Sequence, residues 1–501
     1  MQARSAASPE RQEHLLPRRA TDMKHRLIHW REQRQAPHMK RLFIVTTLAA
    51  TLLTGCKVGP NYRKPVVPVP TAYHGPSENP QAQAASYADL PWWQVFQDPV
   101  LQDLIRTTLK QNYDLQTATE KITYARAQLM VTRSSQLPQV NATGYATDER
   151  SFNGFPFKTR YATYAADATF QLDLFGQLRR ATESARAQLL STQYAQKTEI
   201  LTLVSDVASD YFALLALDLQ LQIARDTVKT QEEAVKLTRH RLDHGVATRL
   251  DVLQAQQVLD TANAQIPDLE RQIGLEEDAL SILLGDYPHG VARGRPLIEQ
   301  PIPPEVPAGL TSSLLARRPD ILQAEQNLIA ANAEIGVAKA AFFPQITLTG
   351  TGGGAVGRST VFSSLINSNI GTWGAAAQLT QPIFEAGRLR GNLRAAESQH
   401  RQELIAYKYA IQRAFKDVSD ALIGYEKYHQ VRVAQETTVQ DLSDSVSTSL
   451  KRYGGGIATY LEVLDNQRSL FTAQLTLAQD RGNEYQSLVQ LYKALGGGWQ
   501  Q

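Results

Sequence analysis

RYGGGIATYLEVLDNQ (Arg452–Gln467) has a near-copy in the same chain, RLDHGVATRLDVLQAQ (Arg241–Gln256), at a constant offset of 211 positions. About half of the aligned residues are identical. Each stretch centres on a glycine, Gly245 or Gly456, with small residues after it and apolar residues at three- and four-residue spacing beyond. Glycine lets a chain leave one helix and reverse into another without steric penalty. The pattern predicts one helix–turn–helix made twice.

The likeness extends outward. DLQTATEKITYARAQLMVTRSSQLPQV (Asp114–Val140) aligns with DILQAEQNLIAANAEIGVAKAAFFPQI (Asp320–Ile346) at an offset of 206, and both end in Pro-Gln and a β-branched residue. The 211 offset continues to Leu283–Gly285 and Ala494–Gly496. A period of about 200 residues is too long for a solenoid and reads as one duplicated module.

Each half is predicted as helix, strand, loop, strand, very long helix, glycine turn, helix. Neither Gly nor Pro occurs between Gly176 and Gly245. A second helix, from about Glu385 to Tyr453, holds, beyond Gly387 in its first turn, only Gly391 and Gly424. At 1.5 Å per residue such helices reach roughly 100 Å. Leu201, Val204, Val207, Ala208, Tyr211 and Leu215 recur on one face among polar neighbours, which predicts coiled-coil-like packing side by side. Proline-rich Asp286–Pro319 is expected to be a surface connector with a short helix at Gly309–Ala316.

RYATYAADATFQLDLF (Arg160–Phe175) alternates with period two, placing Ala162, Tyr164, Ala166, Ala168, Phe170, Leu172 and Leu174 on one face. Gln345–Gly352 and Trp373–Ile383 alternate as well, and Val140–Thr147 is the weakest of the four. Strands of this length can cross a tilted bilayer path. Gly/Asn/Ser-rich loops, 148–159 and 353–372, join the strand pairs. Four strands in hydrocarbon would leave two unpaired edges. A barrel must therefore be shared between copies; two copies give eight strands, too narrow for a channel, and three give twelve.

The chain is 43% hydrophobic and 20% charged, with slightly negative overall hydropathy. No apolar run is expected to reach the roughly 18 residues of a membrane-spanning helix. Lys40-Arg41 precede the apolar Leu42–Leu53, and Leu53-Thr54-Gly55-Cys56 resembles the bacterial lipobox. Cys56, the only cysteine, is thus expected to be lipidated, and Lys57 after it favours the outer membrane. Residues 1–38 read most simply as an over-called start, with Met39 the true one; an extended n-region is the alternative. The first 56 residues hold ten Lys/Arg and four Asp/Glu, so the remainder carries 42 against 45. The formal +3 belongs to the leader and argues for no nucleic-acid partner.

These features converge on a family. CKVGPNYRKP (Cys56–Pro65), PWWQVFQDPVLQDLI (Pro91–Ile105), the two Pro-Gln strand starts and the duplicated Arg-x-x-x-Gly-x-x-Thr-x-Leu-[Asp/Glu]-Val-Leu turn resemble the TolC-like outer membrane factors of the lipidated OprM/NodT type. The resemblance implies a membrane α+β fold built from an internal duplication. A trimeric 12-stranded β-barrel, four strands per chain, would continue into a long periplasmic α-helical barrel. Its organisation would be a signal peptide at 39–55, a lipidated Pro-rich tether at 56–91, a first repeat at 92–285, an equatorial connector at 286–319 and a second repeat at 320–497.

The resemblance further implies an exit duct in the outer membrane of a Gram-negative bacterium, with no enzyme activity and no cofactor. Its partners would be outer membrane lipid, a periplasmic adaptor and an inner-membrane pump of RND, MFS or ABC type. The adaptor would dock at the tips, Gly245, Val246, Ala247, Thr248, Gly456, Ile457, Ala458 and Thr459. The gate would lie there too. Asp251 and Tyr453 are expected to tie the halves together, with Leu461, Glu462 and Asp465 lining an iris-like constriction. Ala458 stands where TolC has a latch arginine, and Gln254 stands opposite Asp465 in the repeat.

Other chemistry is poorly served. GTGGG (Gly350–Gly354) lacks the Lys-Ser/Thr of a phosphate loop. His240 and His244 have helical ligand spacing but no third ligand, and read as solvated tip residues. No nucleophilic triad assembles. A type I protein-secretion channel and a non-porous periplasmic spacer lipoprotein are the alternatives.

Overall fold

A computed structural model describes residues 57–75, 87–150, 158–301, 311–359 and 370–499. The signal segment and Cys56 lie outside the described residues, as does Gly309. Two units are distinguished: the strands with their flanks, Gln139–Arg179 and Ala340–Pro382, and a helical unit of Gly59–Pro138, Arg180–Lys339 and Ile383–Gln501.

In chain order the helices are α1 (Trp92–Val95), α2 (Pro99–Gln111), α3 (Tyr113–Ser134), α4 (Gln177–Asp243), α5 (Arg249–Leu284), α6 (Thr311–Arg317), α7 (Pro319–Ala340), α8 (Arg388–Gly454) and α9 (Tyr460–Ala494). The strands are β1 (Gln139–Arg150), β2 (Lys158–Leu172), β3 (Gln345–Ser359) and β4 (Ile370–Thr380). The order α3-β1-β2-α4-α5 recurs as α7-β3-β4-α8-α9. Both ends of α3 and the start of β1 map onto α7 and β3 at the same 206 offset read from the sequence.

The strands form an antiparallel meander, β1-β2-β3-β4. Its register brings like faces together. Ala166 of β2 lies between Ala142 and Gly352, and Gly352 lies beside Trp373 of β4. The rows on either side read Gly144-Tyr164-Gly354-Gly371 and Val140-Ala168-Gly350-Ala375, so from Ala162 to Leu172 of β2 this face carries only apolar residues and glycine, and beyond Ala162 it ends in the charged pair Asp148–Arg160. The opposite face has rows such as Asn141-Asp167-Thr351-Gly374 and Gln139-Thr169-Thr349-Ala376. On the apolar face Val140, Tyr164, Trp373 and Leu379 are exposed.

The strand boundaries differ from the sequence reading. β2 stops at Leu172 because the chain turns there: Asp173 accepts the Arg179 N–H at 2.9 Å, and Phe175 leaves the alternation to stack on Phe343 at 4.6 Å. β3 runs on to Ser359, through glycines read as loop. β4 spans Ile370–Thr380 rather than Trp373–Ile383, since Gln381-Pro382 ends it with a residue that has no N–H to pair.

In the helical unit, α4 and α8 are both 67 residues long. The predicted stripe Leu201, Val204, Val207, Ala208, Tyr211, Leu215 is buried throughout. It packs with Leu101 and Ile105 of α2, Leu280 of α5, Leu328 of α7, Ile411 and Val418 of α8, and Leu488 and Leu491 of α9. Each such side chain contributes roughly 1.5–3 kcal/mol on burial. Within α4 an 18-residue window has mean hydropathy 1.6, against the expectation of no such run; 72% of it is buried, the mark of a core stretch. α5 continues through Pro267, which sits with Asn263 on an exposed side where water can take the orphaned carbonyl.

One interhelical contact is repeated with its charges reversed. Arg225 of α4 pairs with Glu270 of α5 at 2.9 Å, and Glu436 of α8 pairs with Arg481 of α9 at 2.8 Å. Both members are related by the 211 offset. The reversal makes a swapped hairpin repulsive, because Arg225 would then face Arg481.

The N-terminal segment and the connector depart from expectation. Residues 57–75 are not a free tether: Arg180 donates to Gly59 O and Asn61 Oδ1, Asn332 donates to Pro60 O, and Lys64 pairs with Glu325 at 2.7 Å. Nor is the connector only surface. Val291 and Leu297 are buried in the core, and Arg293 bridges Asp218 and Glu277.

Candidate functional site

The two tips are built alike. α4 ends with Gly245 in the left-handed region (φ 72°), its N–H bonded to Leu242 O and the Val246 N–H to Arg241 O. α8 ends with Gly456 (φ 74°), with Gly456 N–H to Tyr453 O and Ile457 N–H to Arg452 O. Both are Schellman turns, which satisfy the last carbonyls of a helix and favour glycine at that position. Val246 and Ile457, 64% and 75% exposed, project as matching apolar points, and Ala247 and Ala458 keep the surface beside them low.

The restarts differ. At the first tip Thr248 and Asp251 form a complete capping box, with Thr248 N–H to Asp251 Oδ2 at 2.7 Å and Asp251 N–H to Thr248 Oγ1 at 3.2 Å. At the second, Thr459 makes no side-chain cap, and Glu462 instead reaches across the turn to Arg452 at 3.2 Å. Aspartate is one methylene too short for that reach.

The expected Asp251–Tyr453 tie is not what this geometry contains. The Asp251 carboxylate is engaged by Thr248. Tyr453 packs on Tyr460, ring centroids 5.0 Å apart, and the Arg241 guanidinium lies 4.5 Å from the Tyr453 ring centre. Tyr460 is buried with Val235, Ala255, Leu259, Val463 and Leu464, so α4, α5 and α9 share one small core under the tips, with Tyr453 of α8 packed against it. Leu461 projects outward at 58% exposure. Asp465 is exposed but not bare, since Arg468 pairs with it at 2.8 Å. The His240 and His244 ring centres lie 4.2 Å apart with the planes tilted by 51°, and among the described residues no three His, Cys, Asp or Glu gather as a metal group. Arg241, Arg452 and Tyr460 were not singled out from sequence, although the two arginines are the first residues of the repeated motif.

Farther from the tips, Glu484 of α9 is 1% exposed and takes His429 at 2.7 Å and Arg432 at 2.5 Å, both from α8. Among the described residues, the α4–α5 pair instead holds two acids, Asp210 and Glu276, with no cation paired to either. Burial, with Asp206 beside it, pushes the Asp210 carboxyl up to about 6; burial, with Asp210 beside it, pushes Glu276 up to about 7. Raised acid values mean that the stabilisation from the neutral forms is complete below the ordinary carboxylate range and lost as pH rises through 6 to 7. Glu276→Gln is therefore expected to raise the melting temperature at pH 8 by about 1–2 °C, after discounting for partial exposure, and to leave it nearly unchanged at about pH 4, below the ordinary glutamate value. Thermal unfolding followed by circular dichroism at both values tests this; an equal shift at both would exclude a titration origin.

Long paired helices closed by glycine turns, together with a meander of membrane-spanning length and an apolar face, are the build of a duct-forming membrane protein. The Outer membrane efflux protein family matches residues 104–286 and 310–497, one match in each half. Probable efflux pump outer membrane protein TtgC of Pseudomonas putida is 37% identical over 92% of this chain and 96% of its own length. Cation efflux system protein CusC of Escherichia coli O157:H7 is 36% identical over 90% and 98%. A crystal structure of CusC, described in terms of folding and transmembrane channel formation, superposes with a TM-score of 0.79 at 34% identity, covering 88% of this chain and all of that one. Probable outer membrane lipoprotein SilC of Salmonella typhimurium is 34% identical over 92% of this chain and its full length. The chain belongs to the outer membrane efflux protein family.

Proposed function

We propose that this outer membrane efflux protein assembles as a homotrimer whose strands close a twelve-stranded barrel in the outer membrane and whose helices continue it as a periplasmic duct. The observation that carries the reading is the register of the meander. Four strands of 11 to 15 residues align one apolar face, and both outer strands, β1 and β4, have a free edge. Such an edge is not tolerated in hydrocarbon, and joining β4 of one copy to β1 of the next removes it. The two halves are then an internal duplication that supplies six near-equivalent hairpins per trimer.

The duct is the exit of an efflux system. A periplasmic adaptor docks in the grooves beside Val246–Thr248 and Ile457–Thr459, and an RND, MFS or ABC pump supplies the cargo. The relatives are named for efflux pumps and for cation efflux, so cargo is set by the pump and not by the duct. These names favour efflux over protein secretion. Cys56 carries the lipid anchor, in keeping with a relative named as a probable lipoprotein. The gate is at the second tip, lined by Leu461, Glu462 and Asp465, with Tyr453 and Asp251 at its root. It opens by rotation of packed helices once adaptor contacts replace the resting ones.

Mass measurement in detergent with single-channel recording in planar bilayers tests the reading. Three copies per particle and a small resting conductance, enlarged by Leu461→Ala, are expected. A monomer that conducts nothing would leave the spacer lipoprotein as the better account.

A further inference from the structure

We propose that Arg241 is the residue that holds the gate at rest, by seating its guanidinium on the face of Tyr453. The inference rests on the gate reading above and replaces the carboxylate–phenol tie with a cation–π one.

Three observations carry it. Arg241 belongs to α4 and Tyr453 to α8, so the contact at 4.5 Å joins the two long helices where their tips meet. The Arg241 guanidinium is half-buried and has no carboxylate or hydrogen-bond partner among the described residues, so the ring is its one observed neighbour of complementary charge. Tyr453 is in turn braced from behind by buried Tyr460 of α9. A push on the Arg241 side therefore passes through two rings into the helix that begins the gate.

The repeat shows that this arrangement is one-directional. Arg452 occupies the place of Arg241 at the second tip, but it is paired with Glu462. Leu242 and Arg249 stand where the second tip has Tyr453 and Tyr460, so the first tip offers no ring. Asp251 holds Thr248 and keeps the first tip rigid. The first tip is thus a capped post that presents Arg241, and the second is the moving part with the aromatic receptor. A cation–π contact shifts a local equilibrium by about threefold, and three copies acting together shift it by roughly 30-fold.

Single-channel recording on the full-length trimer separates the alternatives. Arg241→Gln and Tyr453→Leu are each expected to raise open probability by roughly 30-fold from a low resting value, and the double variant no further. Tyr453→Phe keeps the ring and should behave as the parent. Arg241→Lys, which keeps charge without the planar group, should fall between. Equal opening by Tyr453→Phe and Tyr453→Leu would show that the hydroxyl is the tie and overturn the proposal. If Leu461→Ala opens the channel and Arg241→Gln does not, the tie fails while the gate stands. If Leu461→Ala also leaves the channel unchanged, the gate reading fails and the tie with it. Trimer mass measured for each variant separates opening from misassembly.

Discussion

Ala166→Arg is expected to remove the proposed trimer from the outer membrane, whereas Ala165→Arg, one residue away, leaves it in place. The two alanines have the same side chain, the same strand and opposite faces. Ala166 lies in the row Ala142-Ala166-Gly352-Trp373, and Ala165 in the row Thr143-Ala165-Gly353-Thr372. A one-residue step along a strand reverses the face, so the pair isolates lipid contact from every other property of β2. An arginine on the lipid face near the bilayer midplane costs about 2–4 kcal/mol, and a trimer carries three of them. A cost of about 6–12 kcal/mol is comparable to the whole stability of a folded domain, so recovered trimer should fall more than tenfold. The arginine at 165 would instead sit on the polar side, one row from Asp167. Membrane fractionation and native gels of both variants give the answer. Similar yields, or loss of the Ala165 variant alone, would reverse the face assignment and with it the barrel.

That experiment bears on a feature only partly legible in the sequence. β2 announces itself because its side chains alternate. The second half of β3 does not, because Gly353 and Gly354, where it begins, have no side chains with which to alternate, and they read as loop. Only pairing with Ala165 and Tyr164 defines them as strand. The long helices were legible for the opposite reason. Absence of Gly and Pro is a local property, and α4 fills the interval between Gly176 and Gly245 to within a residue or two. At the tips the sequence marked the turn itself but not the partners of its charges. Whether an acid caps its own helix or crosses the turn depends on one methylene, and so Asp251 and Glu462, aligned in the repeat, do different things.

Asp98 was invisible as a site for a third reason: its partners are far away in sequence. It lies in PWWQVFQDPVLQDLI and precedes Pro99, which marks it as a helix cap, and Oδ1 does accept the Val100 N–H at 2.9 Å. Its other oxygen does more. Oδ2 accepts Tyr211 Oη at 3.0 Å, the Arg295 N–H at 3.0 Å and Gln300 Nε2 at 2.7 Å, from positions 113, 197 and 202 residues away. Tyr211 also accepts the Gly294 N–H, and Gln300 O accepts Tyr485 Oη. One carboxylate, 0% exposed, therefore draws α2, α4, α9 and the connector between the halves onto a single point.

Asp98→Ala should destabilise the helical unit by about 3–5 kcal/mol, since it leaves several buried donors unsatisfied and opens a cavity beside Gly294. Asp98→Asn is the sharper test. It keeps the shape but must present an NH₂ group either to the three donors at Oδ2 or to the Val100 N–H, so it should cost about 2–3 kcal/mol. Burial pushes the Asp98 carboxyl up, but the hydrogen bonds from Gln300, Arg295, Val100 and Tyr211 outweigh it and hold it below the ordinary range. A depressed carboxylate stabilises the fold above its unfolded value, near pH 4, and loses that contribution as pH falls through its folded value. The gap between parent and Asp98→Asn should therefore be widest at neutral pH and close as the solution is acidified below about pH 4. Guanidinium unfolding followed by helical circular dichroism measures it. A gap that stays constant from pH 7 to pH 3, or an Asn variant within about 0.5 kcal/mol of the parent, would mean that the connector is held by apolar packing of Val291 and Leu297 and not by this charge.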